Sequence, residues 1–165
     1  MGTNYNRIPT VEEMERRRQK LIEDITKIDL TPGTIEMDLR MPIEDSYEYE
    51  SPWDVFLRGA NVHVGKRSGG WKFLWNFHDN KYYSNKEELL AFIRSGRIVN
   101  EYGEEIPVEE FIEMALNWNS EDGIVFDKAY EDRMRKENPN YWAHGSDYYD
   151  KVIDGLRVAT YTDFC

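Results

Sequence analysis

Between Val62 and His78 the side chains alternate. Val62 and Val64 flank His63, and Trp71, Phe73, Trp75 and Phe77 alternate with Lys72, Leu74, Asn76 and His78. A period of two is that of a β-strand, whose successive side chains leave opposite faces. The two runs are joined by Gly65-Lys66-Arg67-Ser68-Gly69-Gly70. Together they predict a β-hairpin with an aromatic inner face. Pairing Val64 with Trp71 sets Val62 opposite Phe73 and puts all four on one face, so this register is self-consistent.

Other signals place elements around the hairpin. Thr10 and Glu13 form a capping box, and Val11, Met14, Leu21, Ile25 and Ile28 recur at helical spacing, which predicts a helix over 11–29. Ile35, Met37, Leu39 and Met41 alternate with charged residues and predict a half-buried strand. Residues 42–54, bracketed by Pro42 and Pro52, read as a long exposed loop. Ser84 and Glu87 open a predicted helix over 85–95 that stops at Gly96. Ile98 and Val99 suggest a short strand, and a turn over 101–104 follows it. Pro107 opens a further helix with Val108, Phe111, Ile112, Ala115, Leu116 and Trp118 on its apolar face. Residues 127–136 can be helical. Asp154-Gly155, between β-prone runs at 148–153 and 156–164, predicts a second hairpin. The expected fold class is α+β, an antiparallel sheet built from hairpins with three or more packed helices. Residues 59–165 are expected to form the core domain, with 59–118 its tightest part. Residues 1–58 are expected to be a helix, a strand and an acidic loop appended to it.

The 165 residues suffice for one domain, or one domain plus a short element. No apolar run approaches the roughly 18 residues of a membrane span, and MGTNYNRIPT offers no apolar secretory stretch. A protein of the cytoplasm, without membrane association, is the expectation. Cys165 is the single cysteine, which excludes an intrachain disulfide and a cysteine-cluster zinc site. Neither a metal nor another cofactor is expected. The net charge of −11 argues against direct nucleic-acid binding. Its distribution is uneven. Residues 36–54 carry seven acids against Arg40, and 101–132 carry eleven against Lys128, while 63–97 hold seven bases against three acids. The plain reading is solubility with internal charge complementarity. The sharper one is an acidic face made for a partner's basic cleft.

Two sets of residues are candidates for binding. Glu44, Asp45, Tyr47, Glu48, Tyr49, Glu50, Trp53 and Asp54 combine acids with aromatic anchors, the composition of a protein-contact surface. The same aromatics could instead pack loops onto the core. In the glycine-rich connection, Lys66, Arg67, Ser68 and Gly69 offer donors and close backbone approach to an anion, and Trp71 or Trp75 could stack a base. The pattern is neither a P-loop nor a dinucleotide fingerprint, and its glycines also suit an ordinary turn. His63, His78 and His144 share no ligand spacing, and no nucleophile elbow is present, so no catalytic residue is assigned.

The opening Met1-Gly2-Thr3-Asn4-Tyr5, the run HVGKRSGGWKF from His63 and the run IVNEYGEEI from Ile98 resemble a family of small bacteriophage proteins. Those open with MGTNY, carry an HIGKSSGGW-like segment and place a DEYG turn before a helix. Many of them also carry a CxxC pair, half a zinc site, before that segment, and this chain does not. The resemblance implies phage origin and action in the host bacterial cytoplasm, and assigns no activity. The first expectation is therefore a host-directed inhibitor that binds a bacterial host protein of a defence or nucleic-acid-handling system. The alternative is a module that sequesters a nucleotide-like signal at the glycine-rich connection. An enzyme acting on nucleic acid or nucleotides is a third reading, which no reacting constellation supports.

Overall fold

The alternation at 62–77 does form strands, but in another register. In the computed structural model, which describes residues 2–27, 56–57, 59–78 and 81–161, Val62–Ser68 is one strand (β2) and Leu74–Asn76 the next (β3). Gly65 faces Trp75 and Lys66 faces Leu74. The expected pairing of Val64 with Trp71 is thus replaced, because β2 runs on through Gly65, Lys66, Arg67 and Ser68 and turns only at Gly69-Gly70. Trp71 instead makes a bridge to Ile124. What read as a glycine-rich loop is mostly strand. Gly65 serves packing there: a Cβ on it would lie 2.4 Å from Phe73 Cε1 and 2.8 Å from the Leu74 carbonyl oxygen.

The chain divides into two compact units, Met1–Ile8 with Val62–Cys165, and Pro9–Asn61. The first unit carries a sheet of seven strands among the described residues. Besides β2 and β3 these are Gly2–Ile8 (β1), Arg97–Asn100 (β4), Glu105–Ile106 (β5), Lys151–Ile153 (β6) and Leu156–Ala159 (β7). Their order is β5-β4-β1-β2-β3-β7-β6, antiparallel except for the β3–β7 pair. With the helices below, this is an α+β fold. Residues 2–8, grouped by the sequence with an appended segment, lie inside the sheet between β2 and β4. Their period of two is disguised because the inward positions are Tyr5 and Arg7 rather than aliphatics. Arg7 is 2% exposed, and its Nε donates to the Phe92 carbonyl at 3.1 Å while Nη2 reaches Ser95 Oγ at 2.9 Å.

One face of the sheet is covered by Lys86–Arg94 (α2) and Val108–Asn117 (α3), numbered after Val11–Thr26 (α1) of the second unit. The core between them gathers Tyr5, Phe73, Trp75, Leu89, Ile93 and Phe111. Phe73 and Trp75 lie 4.6 Å apart by ring centroids, and Tyr5 and Phe111 5.1 Å, at tilted angles suited to aromatic pairs. Trp75, offered above as a stacking platform, is 1% exposed and belongs to this core. The cap of α2 sits one residue later than expected. Asn85 accepts from the Glu88 N–H at 2.9 Å, and the Glu88 carboxylate returns to Ser84 N–H and Oγ–H. Gly96 ends α2 with no room for a side chain, since a Cβ would lie 2.5 Å from Arg7 Nε.

A fourth helix, Lys128–Glu137 (α4), starts from Asp127, whose Oδ1 accepts the Tyr130 N–H at 2.8 Å. The second hairpin forms as expected, with β6 and β7 joined at Asp154 and Gly155, at φ 49° and 78°. In the second unit, α1 carries the full Thr10–Glu13 capping box, and Val11 and Ile25 of its expected apolar stripe are exposed. The strand expected over 35–41 and all of 42–54 lie outside the described residues. Among the described residues no helix is long and apolar enough to cross a membrane.

Candidate functional site: a basic pocket on the second sheet face

The strand period decides which loop candidates meet. Lys66 and Leu74 are cross-strand partners on the face away from the helical core, and Ser68 follows Lys66 by two residues. Arg67 leaves the opposite face, with its guanidinium 5.0 Å from the Trp118 ring centroid and 5.9 Å from that of Tyr5. Gly69 stands in the turn with nothing within 4 Å of its Cβ position. Lys66, Ser68 and Trp71 therefore share one site, and Arg67 and Gly69 do not belong to it. The eight acidic and aromatic candidates at 44–54 lie outside the described residues.

The site is a pocket of about 240 Å³. Leu74 and Arg157 come to it from β3 and β7, Lys66 and Ser68 from β2, and Trp71 and Lys72 from the turn; Phe126 and Tyr161 complete it. Among the described residues its charged lining is Lys66, Lys72 and Arg157, with no carboxylate. In a chain of net charge −11 this is a local reversal of sign.

Hydrogen bonds fix the frame. Trp118 Nε1–H donates to the Ser68 carbonyl at 3.1 Å, and Asn119 Nδ2–H to the Trp71 carbonyl at 2.9 Å. Lys72 N–H donates to the Ile124 carbonyl, and Ile124 N–H to that of Gly70. The turn is thereby held along the segment that follows α3. Below it, Asp150 accepts from Arg157 Nε–H, from the Phe126 N–H at 2.6 Å and from the Tyr161 hydroxyl at 3.3 Å. Arg157 also donates to the Lys72 carbonyl at 2.7 Å and lies 5.1 Å from the Trp71 ring centroid. Its charge is balanced by Asp150, so it fixes the pocket wall, while Lys66 and Lys72 carry flexible ammonium groups.

Beside the pocket runs a row of polar residues. Asn4 is the cross-strand partner of Lys66, and its Nδ2–H donates to Glu101 Oε2 at 2.8 Å. That bond is the main reason the Glu101 carboxyl titrates below its ordinary range. His63 is pushed below its ordinary value by burial, against a hydrogen bond to the Gly65 carbonyl. The opening stretch, the run from His63 and the run from Ile98 are neighbours here, because β1 pairs with both β2 and β4. Among the described residues no three metal-ligating side chains converge.

Lys72, Phe126, Arg157 and Tyr161 escaped the sequence reading. Arg157 had one signal: it interrupts an apolar Leu156–Val158 pair at the position facing the other side of the sheet. Phe126 comes from a segment without clear periodicity and Tyr161 lies just past the end of β7, and only the tertiary fold brings them in. No protein-family model, curated protein or solved structure matches this chain.

Proposed function

We propose that this chain is a phage-encoded, host-directed binding protein, and that it works by sequestering a small nucleotide-like anion in the pocket of β2, β3 and β7. The observation that supports this reading is the convergence of Lys66, Lys72 and Arg157 with Ser68 beside Trp71 in an otherwise acidic molecule. Ammonium and guanidinium groups suit phosphate, and the Ser68 hydroxyl adds a donor. The exposed part of Trp71 offers a surface to a planar ring. Calorimetry against cyclic and adenine nucleotides tests the reading. Binding that weakens at least tenfold in Lys66→Glu, in a variant with unchanged circular dichroism, is the expected result. Flat heats across the panel would remove the reading.

A second mode keeps the host direction and changes the partner. Seven acids against one base over 36–54, with Tyr47, Tyr49 and Trp53 among them, suit the basic cleft of a bacterial host protein. A pull-down from host lysate compares the chain with a variant charge-reversed at Glu44, Asp45, Glu48, Glu50 and Asp54. A stoichiometric partner lost in the variant supports this mode, and equal capture by both removes it.

A further inference from the structure

A second cavity, of about 470 Å³, lies next to the basic pocket. Lys72 lines both, and Trp71 of the first and Tyr130 of the second have ring centroids 5.0 Å apart. The two cavities differ in chemistry. Among the described residues, the first has only cations in its charged lining. The second holds Glu121, Asp122 and Asp127 together with Arg133. Asp127 is engaged at the start of α4, whereas Glu121 and Asp122 are exposed and have no hydrogen-bond partner among the described residues.

Lys72 is placed between them by backbone geometry. Its N–H and carbonyl are both bonded, to Ile124 and Arg157. Gly123 leaves room for its stem, since a Cβ at Gly123 would lie 2.6 Å from Lys72 Cγ. Its ammonium makes no ion pair among the described residues. The first cavity alone is smaller than the roughly 300–1,000 Å³ of pockets that enclose whole small molecules, and the pair falls within that range.

We propose that the two cavities form one bipartite site for a dinucleotide-like ligand, two nucleoside units joined through phosphate, with an amine-bearing base in the second cavity. The proposal rests on the pocket reading above and extends it. The first unit and its phosphate lie among Lys66, Ser68 and Trp71, and the linking phosphate meets Lys72. Carboxylates accept hydrogen bonds and cannot donate them, so Glu121 and Asp122 select a base edge that presents N–H groups. Joining the two units makes the second contact intramolecular, which raises affinity above that of either unit alone.

The test measures dissociation constants for GMP and AMP and for their linear and cyclic dinucleotides. The protein is used intact, as wild type, Arg133→Ala and the pair Glu121→Ala with Asp122→Ala. All three residues are exposed, so the variants retain the fold. The expected result is a dinucleotide bound at least tenfold tighter than a mononucleotide, with that increment lost in the variants and mononucleotide binding unchanged. Equal affinities for mono- and dinucleotides, with inert variants, would overturn the bipartite site and leave the basic pocket standing. Absence of binding by every nucleotide would overturn both.

Discussion

Asp150 and Arg157 form an ion pair beneath the pocket at 2.5 Å, with the aspartate side chain fully buried and the arginine side chain 8% exposed. The pair joins three separate pieces of chain, because Asp150 also takes the Phe126 N–H and the Tyr161 hydroxyl. It holds one wall of the pocket and the residues that complete it.

Removing either partner strands the other charge in the interior. Asp150→Ala is expected to destabilise by about 3–5 kcal/mol, the range for breaking a buried pair. The double change Asp150→Ala with Arg157→Leu is expected to cost less than the sum of the single changes, since no buried charge is left over. Urea denaturation of the three variants measures this, and strict additivity would show that the pair is not coupled.

Gly65 and Gly69, four residues apart, show two uses of glycine. At Gly65 a Cβ would strike the Phe73 ring and the Leu74 carbonyl, and the carbonyl belongs to a paired strand. Gly65→Ala is expected to cost about 1–3 kcal/mol, as overpacking does. At Gly69 nothing lies within 4 Å, and Gly69→Ala is expected to be neutral or to stabilise by up to about 1 kcal/mol through the unfolded chain. Thermal or urea unfolding distinguishes them, and similar losses in both would contradict the packing described for Phe73.

His63 links stability to pH. Burial is the largest influence and lowers its pKa from 6.5; Lys66 lowers it further, while the Gly65 carbonyl and Glu101 oppose the shift. The folded chain therefore binds the proton less readily than the unfolded chain. Stability contributed by neutral His63 is complete above about pH 6.5 and is lost as pH falls through the lower, folded value. Urea midpoints measured from pH 7.5 to 5 are expected to decline in the wild type and to decline less in His63→Gln. Parallel profiles would show that His63 does not carry the effect.

The fold was legible where hydrophobicity and geometry coincide. Asp154-Gly155 marked its hairpin because both residues tolerate positive φ, and the capping box at Thr10 marked its helix because the two bonds are local. β1 was not legible as part of the sheet, since a buried Arg7 satisfied by Phe92 and Ser95 looks in sequence like a solvent residue. The register of β2 on β3 was missed because Gly69-Gly70, rather than the whole run from Gly65, makes the turn. For the site, Lys66, Ser68 and Trp71 were visible as a phosphate-like donor set. Arg67 was grouped with them only because composition ignores the alternation of faces. Phe126 is distant in sequence from Arg157 and Tyr161, and the three meet through Asp150, a contact no local pattern encodes.

Asp154 supports two elements at once. It adopts φ 49° in the β6–β7 turn, and its Oδ2 accepts the Lys86 N–H at 3.0 Å, at the first residue of α2. A carboxylate there meets an unpaired helix N–H and the positive end of the helix dipole. Asp154→Ala keeps the strained backbone and loses the acceptor, and is expected to cost about 1–2 kcal/mol. Asp154→Asn tolerates the same φ and retains an acceptor oxygen, so the loss is expected to stay within about 0.5 kcal/mol. Asp154→Gly relaxes the turn but abandons Lys86, and its stability is expected between the two. Urea denaturation ranks the three. If Ala and Asn proved equal, the bond to Lys86 would contribute nothing, and the hairpin would be held by its turn and strand pairing alone.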